Sequence, residues 1–203
     1  MKRKPSKVIR CISCDLACQL FPAADVRTKY CSHAEFAIWP EGNVFLKRGI
    51  IERLLLSNKN YLSKGFIFVD FSLPNLRFFS QPQWIDWLAS SGMFVVIVSD
   101  GSLAPLANYW LLNNDNVQGI IYSDDDVLVQ QQKIHRLFTG RRANSKRGRS
   151  LNNPELILLN SFISGVSFQQ EINISSINKI YVYKHSLENK LGHRIQNILL
   201  NIL

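Results

Sequence analysis

Residues 151–192 read LNNPELILLNSFISGVSFQQEINISSINKIYVYKHSLENKLG. Apolar residues recur here in two blocks, with the three-to-four-residue spacing of an amphipathic helix. The first block ends at Ser164-Gly165 and the second begins after Ser175-Ser176, and both dipeptides are typical of helix ends. The spacing predicts two longer helices, with room for a short helix between them at residues 167–172.

Basic residues are concentrated on the last of these helices, which should begin near Ser176. It carries one acid, Glu188, against four residues that can be positively charged: Lys179, Lys184, His185 and Lys190. Three helices with a basic last member are typical of a helix-turn-helix that reads DNA, and equally of a plain three-helix subdomain. The charge pattern alone leaves both interpretations open.

The order of particular residues adds a resemblance to a known family. The positions that carry it are Leu151, Pro154-Glu155, Leu158-Leu159, Gly165, Ser167, Ile172, Ser176, Ile180, Leu187 and Lys190-Leu191-Gly192. They resemble the LuxR-type helix-turn-helix of bacterial transcription factors. A closer similarity is to the EcpR/MatA regulators of fimbrial operons, whose last helix has a Tyr after its apolar Val, as Tyr181 follows Ile180 here. The span from Ser167 to Gly192 is slightly shorter than in the family, and the usual Leu-Gly before the reading helix is absent.

The resemblance implies which residues of this helix contact DNA. Base edges would be touched by Tyr181, Val182 and His185, and backbone phosphates would lie near Lys179, Lys184 and Lys190. A Val can pack on a thymine methyl group, and a Tyr or His can hydrogen-bond a base edge. Because this helix has no Arg, the commonest guanine contact is missing, and we expect recognition to depend partly on the shape of A·T-rich DNA. A surface His185 without a role is the alternative for that residue.

Helical spacing predicts which side of this helix faces the protein. The residues expected inward are Ile177, Ile180, Leu187 and Leu191. The residues expected mostly outward are Lys179, Tyr181, Val182, His185, Ser186 and Asn189.

Charge is distributed unevenly along the 203 residues, whose net charge is +9. Residues 1–34 carry +5, residues 35–140 carry −2 and residues 141–203 carry +6. A mildly acidic middle between basic ends favours a polyanionic partner, and solubility charge on flexible tails is the alternative. With 46% apolar residues, the chain can form one medium and one small domain.

The first 34 residues contain all four cysteines, Cys11, Cys14, Cys18 and Cys31. Their spacing is not a standard two-knuckle zinc pattern, so a loosely ordered basic tail is preferred and a metal site is the alternative. No apolar run reaches the ~18–20 residues that span a bilayer, and no secretory apolar region follows the basic start. We expect a cytoplasmic protein with reduced thiols and no membrane partner.

Residues 35–140 alternate between predicted strands and helices. Strands are predicted at 35–39, 66–71, 94–99 and 119–123, and helices at 43–57, 80–90, 102–113 and 125–138. Unbroken apolar strands that alternate with helices indicate a doubly wound parallel sheet with right-handed crossovers. The sheet should have four or five strands.

Residues 66–74, FIFVDFSLP, resemble the third strand of a response-regulator receiver domain. Asp70 and Pro74 occupy the positions of the phosphoacceptor and of the proline that follows it, and Ser99 matches the hydroxyl residue that ends the next strand. The acidic pair that holds Mg²⁺ and the lysine that pairs with the phosphoryl group are both missing from their expected positions. The resemblance therefore implies a pseudo-receiver in which Asp70 is inert. Compared with a receiver domain, one strand–helix pair is also missing near residues 58–64.

The segments LANYW, at residues 106–110, and GIIY, at residues 119–122, again resemble the EcpR/MatA group. They extend the similarity over most of residues 35–192. In receiver-like folds this region commonly mediates dimers, so the resemblance points to Tyr109, Trp110 and Tyr122 as interface residues. Packing of Trp110 on the sheet is an equal alternative.

Residues 139–150, TGRRANSKRGRS, have the composition of a domain linker. The basic residues of the linker proper, 141–150, are Arg141, Arg142, Lys146, Arg147 and Arg149. They are candidates for phosphate contacts that do not read sequence, and a mobile solvated tether is compatible with that role.

The sequence thus predicts a tail at 1–34, an α/β pseudo-receiver at 35–140, a basic linker at 141–150 and an all-α LuxR-type helix-turn-helix domain at 151–203. We find no catalytic or cofactor-binding motif and expect a transcriptional regulator rather than an enzyme. The resemblance implies an activator of a fimbrial operon that binds double-stranded DNA as a homodimer. Two alternatives are a non-DNA-binding partner subunit of another regulator, favoured by the shortened turn, and a phosphorylation-switched response regulator.

Overall fold

The structure is a computed structural model, and it describes residues 8–14, 16–31, 35–143, 146–165 and 177–200. The short helix predicted at 167–172 and the turn before the reading helix therefore lie outside the described residues.

A six-stranded sheet forms the centre of the molecule, in the strand order β2-β1-β3-β4-β5-β6. Its strands are β1 (Ile9–Cys11), β2 (Gln19–Phe21), β3 (Phe36–Trp39), β4 (Phe66–Phe71), β5 (Phe94–Ser99) and β6 (Val117–Tyr122). Strands β3 to β6 are parallel neighbours, as their mostly apolar sequences predict. The mixed α/β fold class is confirmed for this part of the chain.

The N-terminal hairpin corrects the prediction of a loosely ordered tail. Strand β1 pairs antiparallel with β2 on one side and with β3 on the other, where Arg10 lies opposite Ile38. Ile9 and Cys11 are buried in the hairpin. Strands β1 and β2 therefore extend the sheet, and its edge is antiparallel rather than parallel.

Helices cover both faces of the parallel strands. They are α2 (Val44–Ile50, continued by a π-helical turn at Ile51–Leu55), α3 (Gln83–Ala89), α4 (Ala104–Asn113) and α5 (Val127–Phe138). The short helix α1 (Val26–Lys29) follows β2 and buries no residue. Alternate strand residues point to opposite faces. One face packs against α2 and α5, and the other packs against α3 and α4.

The connection from β3 to β4 differs from the other two parallel connections. All three step in the same direction across the sheet, yet α2 lies on the opposite face from α3 and α4. The β3–β4 crossover therefore has the opposite hand, and the prediction of right-handed crossovers throughout is wrong. Residues 56–65, all of which the structure describes, contain no strand or helix, in agreement with the predicted missing strand–helix pair. The N-terminal hairpin occupies the sheet edge beside β3 instead.

Three further helices follow the linker: α6 (Asn153–Ser164), α7 (Ile177–Leu191) and α8 (Ile195–Leu200). Asn152 and Glu155 form a reciprocal capping box at the start of α6, and Gly165 ends that helix in the left-handed conformation, with φ of 71°. Ile195 and Ile198 of α8 are buried against α6 and α7, so α8 closes the core of the helical part.

The helical part and the sheet share one hydrophobic core. Leu156, Leu159 and Leu187 belong to the same buried cluster as Leu106 and Trp110 of α4. Hydrogen bonds cross the boundary as well: the Leu151 N–H donates to the Pro105 carbonyl at 3.0 Å, and the Tyr109 hydroxyl donates to Asn153 Oδ1 at 2.7 Å.

Two of the proposed interface residues are buried inside the chain. Trp110 is 4% exposed and donates from Nε1 to the Phe79 carbonyl at 3.0 Å, and Tyr122 is 0% exposed. Because neither side chain reaches the surface, the dimer-interface prediction is wrong for both residues, and packing of Trp110 on the sheet is confirmed. Tyr109 is partly buried and is bonded to α6.

Candidate nucleic-acid interface

Helix α7 presents an open polar and aromatic face. Tyr181 is 67% exposed and Val182 is 66% exposed, and Lys179, His185 and Asn189 are exposed beside them. On the opposite face Leu187 and Leu191 are buried, and Ile180 is packed against the core. The structure thus agrees with the orientation that helical spacing predicts, except at Ser186; the side chain of Ile177 lies outside the described residues.

A buried carboxylate fastens α7 to α6. Glu155 is 0% exposed, and its Oε2 accepts from Lys190 Nζ at 2.6 Å and from the Asn152 N–H at 2.8 Å. Its Oε1 accepts from the Ser186 hydroxyl at 2.6 Å. Because both oxygens have donors, the carboxylate can remain buried as an ion.

The contacts of Glu155 change the interpretation of two residues of α7. Ser186 was expected to face outward, but it bonds Glu155. Lys190 matches a phosphate-contacting position, but its ammonium donates to Glu155 and to the Ser150 carbonyl, the latter at 2.9 Å. Two of its three donors are thus used within the chain, and Lys190 primarily positions the helix. The spacing of Asn152 and Glu155 indicates a helix cap from the sequence alone. The contact between Glu155 and Lys190 joins residues 35 positions apart, and the sequence does not indicate it.

A cleft of about 740 Å³ separates the exposed face of α7 from the linker. It is lined by Gly148 and Arg149 of the linker and by Tyr181, Val182, His185, Ser186, Asn189 and Lys190 of α7. The three residues predicted to touch base edges therefore lie together, beside a linker cation. Lys179 and Lys184 do not line this cleft.

The linker is attached to the sheet at two of its arginines. Arg142 donates to the Val117 carbonyl at 2.8 Å and pairs with Asp115 at 3.4 Å. Arg147 pairs with Asp124 at 2.7 Å and with Asp125 at 2.6 Å. The alternative of a mobile tether does not fit these contacts, because the linker is bonded to the sheet at Arg142 and Arg147. For the side chains of Arg141, Lys146 and Arg149, the described part of the chain supplies no ion pair, and all three residues are exposed.

Tyr122 is the centre of this attachment. The Arg147 N–H donates to the Tyr122 hydroxyl, which donates to Asn108, while the Asn108 amide donates to the Arg147 carbonyl at 2.8 Å. The Arg147 guanidinium also lies 4.4 Å from the centre of the Tyr122 ring, a cation–π contact. Burial raises the pKa of the Tyr122 hydroxyl, and nearby Arg147 opposes that rise.

Asp125 joins the linker to helix α5. Its Oδ2 accepts from Lys133 Nζ at 2.5 Å, and its Oδ1 accepts from Arg147. Burial pushes the pKa of the Asp125 carboxyl upward, but the hydrogen bond from Lys133, the backbone N–H of Tyr122 and the two positive charges outweigh it, so the pKa is lowered.

Asp70 has neutral amide partners. The side chain is buried, and Oδ2 accepts from Asn43 Nδ2 at 3.1 Å and from Asn75 Nδ2 at 3.0 Å. Glu41, the acid that follows β3, is paired with Arg10 at 3.6 Å. Asn43 thus lies where a Mg²⁺-binding acid would be useful, and an amide is a poorer ligand for that ion. The inert role of Asp70 remains a prediction.

Among the residues that the structure describes, no group of three or more His, Cys, Asp or Glu side chains could hold a metal ion. Cys11 is buried, Cys18 is partly buried, and Cys14 and Cys31 are exposed as free thiols. In the described part of the chain, no helix is both long enough and apolar enough to cross a membrane.

Fold and surface together define a receiver-like α/β part joined to a helical part with an exposed basic helix. Residues 10–138 match the family model described as the EcpR N-terminal domain. The chain belongs to the EcpR N-terminal domain family, which supports the class of transcriptional regulator rather than enzyme.

Individual relatives extend this comparison over nearly the whole chain. The uncharacterized protein YqeH of Escherichia coli (strain K12) is 38% identical over 194 residues, which cover 95% of this chain and 92% of that protein. The Vi polysaccharide biosynthesis protein TviA of Salmonella typhi is 27% identical over 177 residues, which cover 80% of this chain and 92% of that protein.

Solved structures of RcsB are also similar to this chain. RcsB dimers bound to two parallel DNAs match with 19% identity and a TM-score of 0.40, over 73% of this chain and 78% of that chain. The Salmonella typhimurium RcsB response regulator matches with 17% identity and a TM-score of 0.32, over 72% of this chain and 79% of that chain.

Proposed function

We propose that this chain is a transcriptional regulator that binds double-stranded DNA through the exposed face of α7. The observation that carries the proposal is the pair of opposite faces of this helix. One face holds Lys179, Tyr181, Val182 and His185 in solvent, and the other is buried and held by Glu155. A helix supported on one side and polar on the other can enter the major groove, which is about 12 Å wide.

The residues of α7 have different roles in this proposal. Tyr181, Val182 and His185 contact base edges, because they are exposed side by side around one cleft. Lys179 and Lys184 contact backbone phosphates, which adds affinity without sequence information. Lys190 acts through Glu155, by fixing the orientation of the helix.

The target is proposed from likeness rather than from geometry. The resemblance to EcpR/MatA regulators favours a fimbrial or pilus operon, bound by a homodimer that activates transcription. The similarity to a protein named for Vi polysaccharide biosynthesis is compatible with a wider class of cell-surface operons.

Binding of the purified full-length protein to fimbrial promoter DNA across a salt series tests the proposal. The variant Tyr181→Ala/His185→Ala should lose at least about tenfold in specific affinity, because direct base contacts are removed. The matched control is Tyr61→Ala/His135→Ala, which removes the same two residue types from exposed positions on the receiver-like part. Weak binding without sequence preference that neither variant changes would instead favour a partner subunit of another regulator.

A further inference from the structure

We infer that Arg149 is a further DNA contact: its guanidinium binds a backbone phosphate at the cleft beside α7, and the receiver-like part holds it there through Arg147. The inference rests on the proposed DNA-binding function. In this inference, the receiver-like part contributes to the DNA-binding surface because it fixes the position of Arg149.

The backbone is fixed on both sides of Arg149. Before it, Arg147 is bound to Asp124 and Asp125 and lies over the Tyr122 ring. After it, the Ser150 carbonyl accepts from Lys190 Nζ at 2.9 Å, and the Leu151 N–H donates to Pro105 at 3.0 Å. On each side of Arg149, the chain is therefore anchored to folded elements within two residues.

The chain turns sharply between these anchors. Gly148 has φ of 65°, a left-handed conformation that glycine adopts without strain. The turn brings Arg149 to the wall of the cleft, where Tyr181, His185 and Asn189 also lie. An arginine positioned in this way loses less conformational entropy on binding than one on a free tether.

The linker arginines differ in what they bind. Arg142 and Arg147 have carboxylate and carbonyl acceptors within the chain. Within the described ranges no ion pair involves Arg149, and none of the residues that line its cleft is acidic. Arg149 is thus a cation at a prepared position, and no described residue accepts a hydrogen bond from its guanidinium.

The chemistry of the cleft fits a phosphate group. The guanidinium has a planar fork of donors that matches two phosphate oxygens, and Asn189 and His185 can supply further donors. The cleft is open along the face of α7 that we propose to read bases, so a phosphate there would belong to the same duplex. Free inorganic phosphate has the same chemistry and has to be distinguished by experiment.

The test measures the DNA affinity of full-length Arg149→Ala across a salt series, beside Arg136→Ala. Both variants remove one exposed arginine, but Arg136 lies on α5 and does not line the cleft. We expect Arg149→Ala to weaken binding about tenfold and to reduce the salt slope by about 1. Arg136→Ala should stay within about twofold at physiological salt, because distant exposed charges are screened. Equal affinities of the two variants, with the loss in Tyr181→Ala/His185→Ala retained, would overturn the role of Arg149 and leave the proposed function intact.

A double-mutant cycle tests the positioning role of Arg147. Arg147→Ala should weaken DNA binding in the wild-type background and have little further effect in Arg149→Ala, because both changes act on one contact. Additive losses would show that Arg147 does not act through Arg149. If inorganic phosphate binds to wild type but not to Arg149→Ala, and at constant ionic strength leaves the affinity of wild type for the duplex unchanged, the cleft binds free phosphate and the backbone contact is wrong. Failure of the wild type to bind any duplex overturns both proposals.

Discussion

At the scale of single residues, Glu155 connects more of the helical part than any pattern in the sequence indicates. It caps α6, and it also receives the hydroxyl of Ser186 and the ammonium of Lys190. This cluster stabilises the fold only while both sides are present, because the carboxylate without its donors, or a donor without the carboxylate, would be buried and unpaired.

Replacement of Glu155 by Ala should therefore be strongly destabilising. We expect the free energy of unfolding to fall by about 3 kcal/mol, because Lys190 loses its buried partner and α6 loses its cap. Urea denaturation followed by circular dichroism measures this change. In the control Glu52→Ala, an exposed acid paired with Arg48 at 3.9 Å is removed, and the cost should not exceed about 0.5 kcal/mol. Similar losses in both variants would show that the buried cluster contributes little.

At the scale of elements, the strand β6, the helix α5 and the linker are held together by charge. Asp125 is the common member, bound by Lys133 of α5 and by Arg147 of the linker. Its pKa is lowered in the folded protein, so it contributes stability above the ordinary carboxyl pKa of about 3.9. That contribution is lost as the pH falls through the folded pKa.

The pH dependence of stability should identify this carboxylate. Wild type should be more stable than Asp125→Asn at pH 7, and the difference should shrink as the pH falls below about 4, because protonation removes the charge that the variant already lacks. Urea unfolding at several pH values measures the two curves. The control is Asp115→Asn, which changes a fully exposed acid. Its curve of stability against pH should run parallel to that of wild type. A constant gap between wild type and Asp125→Asn down to pH 3 would contradict the lowered pKa.

Most elements of the fold are predictable from sequence, because their patterns are local. The apolar runs of β4 and β5 are unbroken, and Gly165 and Gly192 end helices where glycine is expected. The hairpin β1–β2 escapes prediction because three-residue strands are too short to show a period of two. Its place in the sheet depends on pairing with β3, a contact between residues far apart in the chain.

The candidate site is predictable to a smaller extent. The helical period separates exposed Tyr181 and Val182 from buried Leu187, because the period is a property of the sequence itself. The inward roles of Ser186 and Lys190 depend on Glu155, which lies on another helix. The linker is anchored by contacts of Arg147 with Asp124 and Asp125. From the sequence alone, these acids would be assigned to the cap of the helix that follows them.

At the scale of the whole molecule, one core joins the sheet to the helical part. Leu151, Leu156 and Leu187 pack in the same cluster as α4, and the linker is attached between them. This arrangement holds the exposed face of α7 in solvent without any modification of the protein. In the proposed function, access of DNA to this face therefore does not require release of a phosphorylated receiver.

We accordingly expect no response to phosphoryl donors. Incubation with an acyl phosphate and Mg²⁺ should leave the mass of the protein and its DNA affinity unchanged, because Asp70 is held by Asn43 and Asn75 and lacks the paired acids that bind the metal. Intact-protein mass spectrometry and DNA titration measure the two quantities, with a competent receiver protein treated in parallel. A mass gain that is absent from Asp70→Asn would show that the domain is a working receiver.

The hairpin at the N-terminus also shortens one edge of the sheet. Strand β1 covers the edge of β3, and the outermost strand on that side, β2, is only three residues long. A long bare edge would offer a row of unpaired N–H and C=O groups to a second chain, whereas a short one is a poor template for cross-chain pairing. Truncation before residue 22 would expose the edge of β3, so we expect removal of the hairpin to favour pairing between chains and to lower solubility.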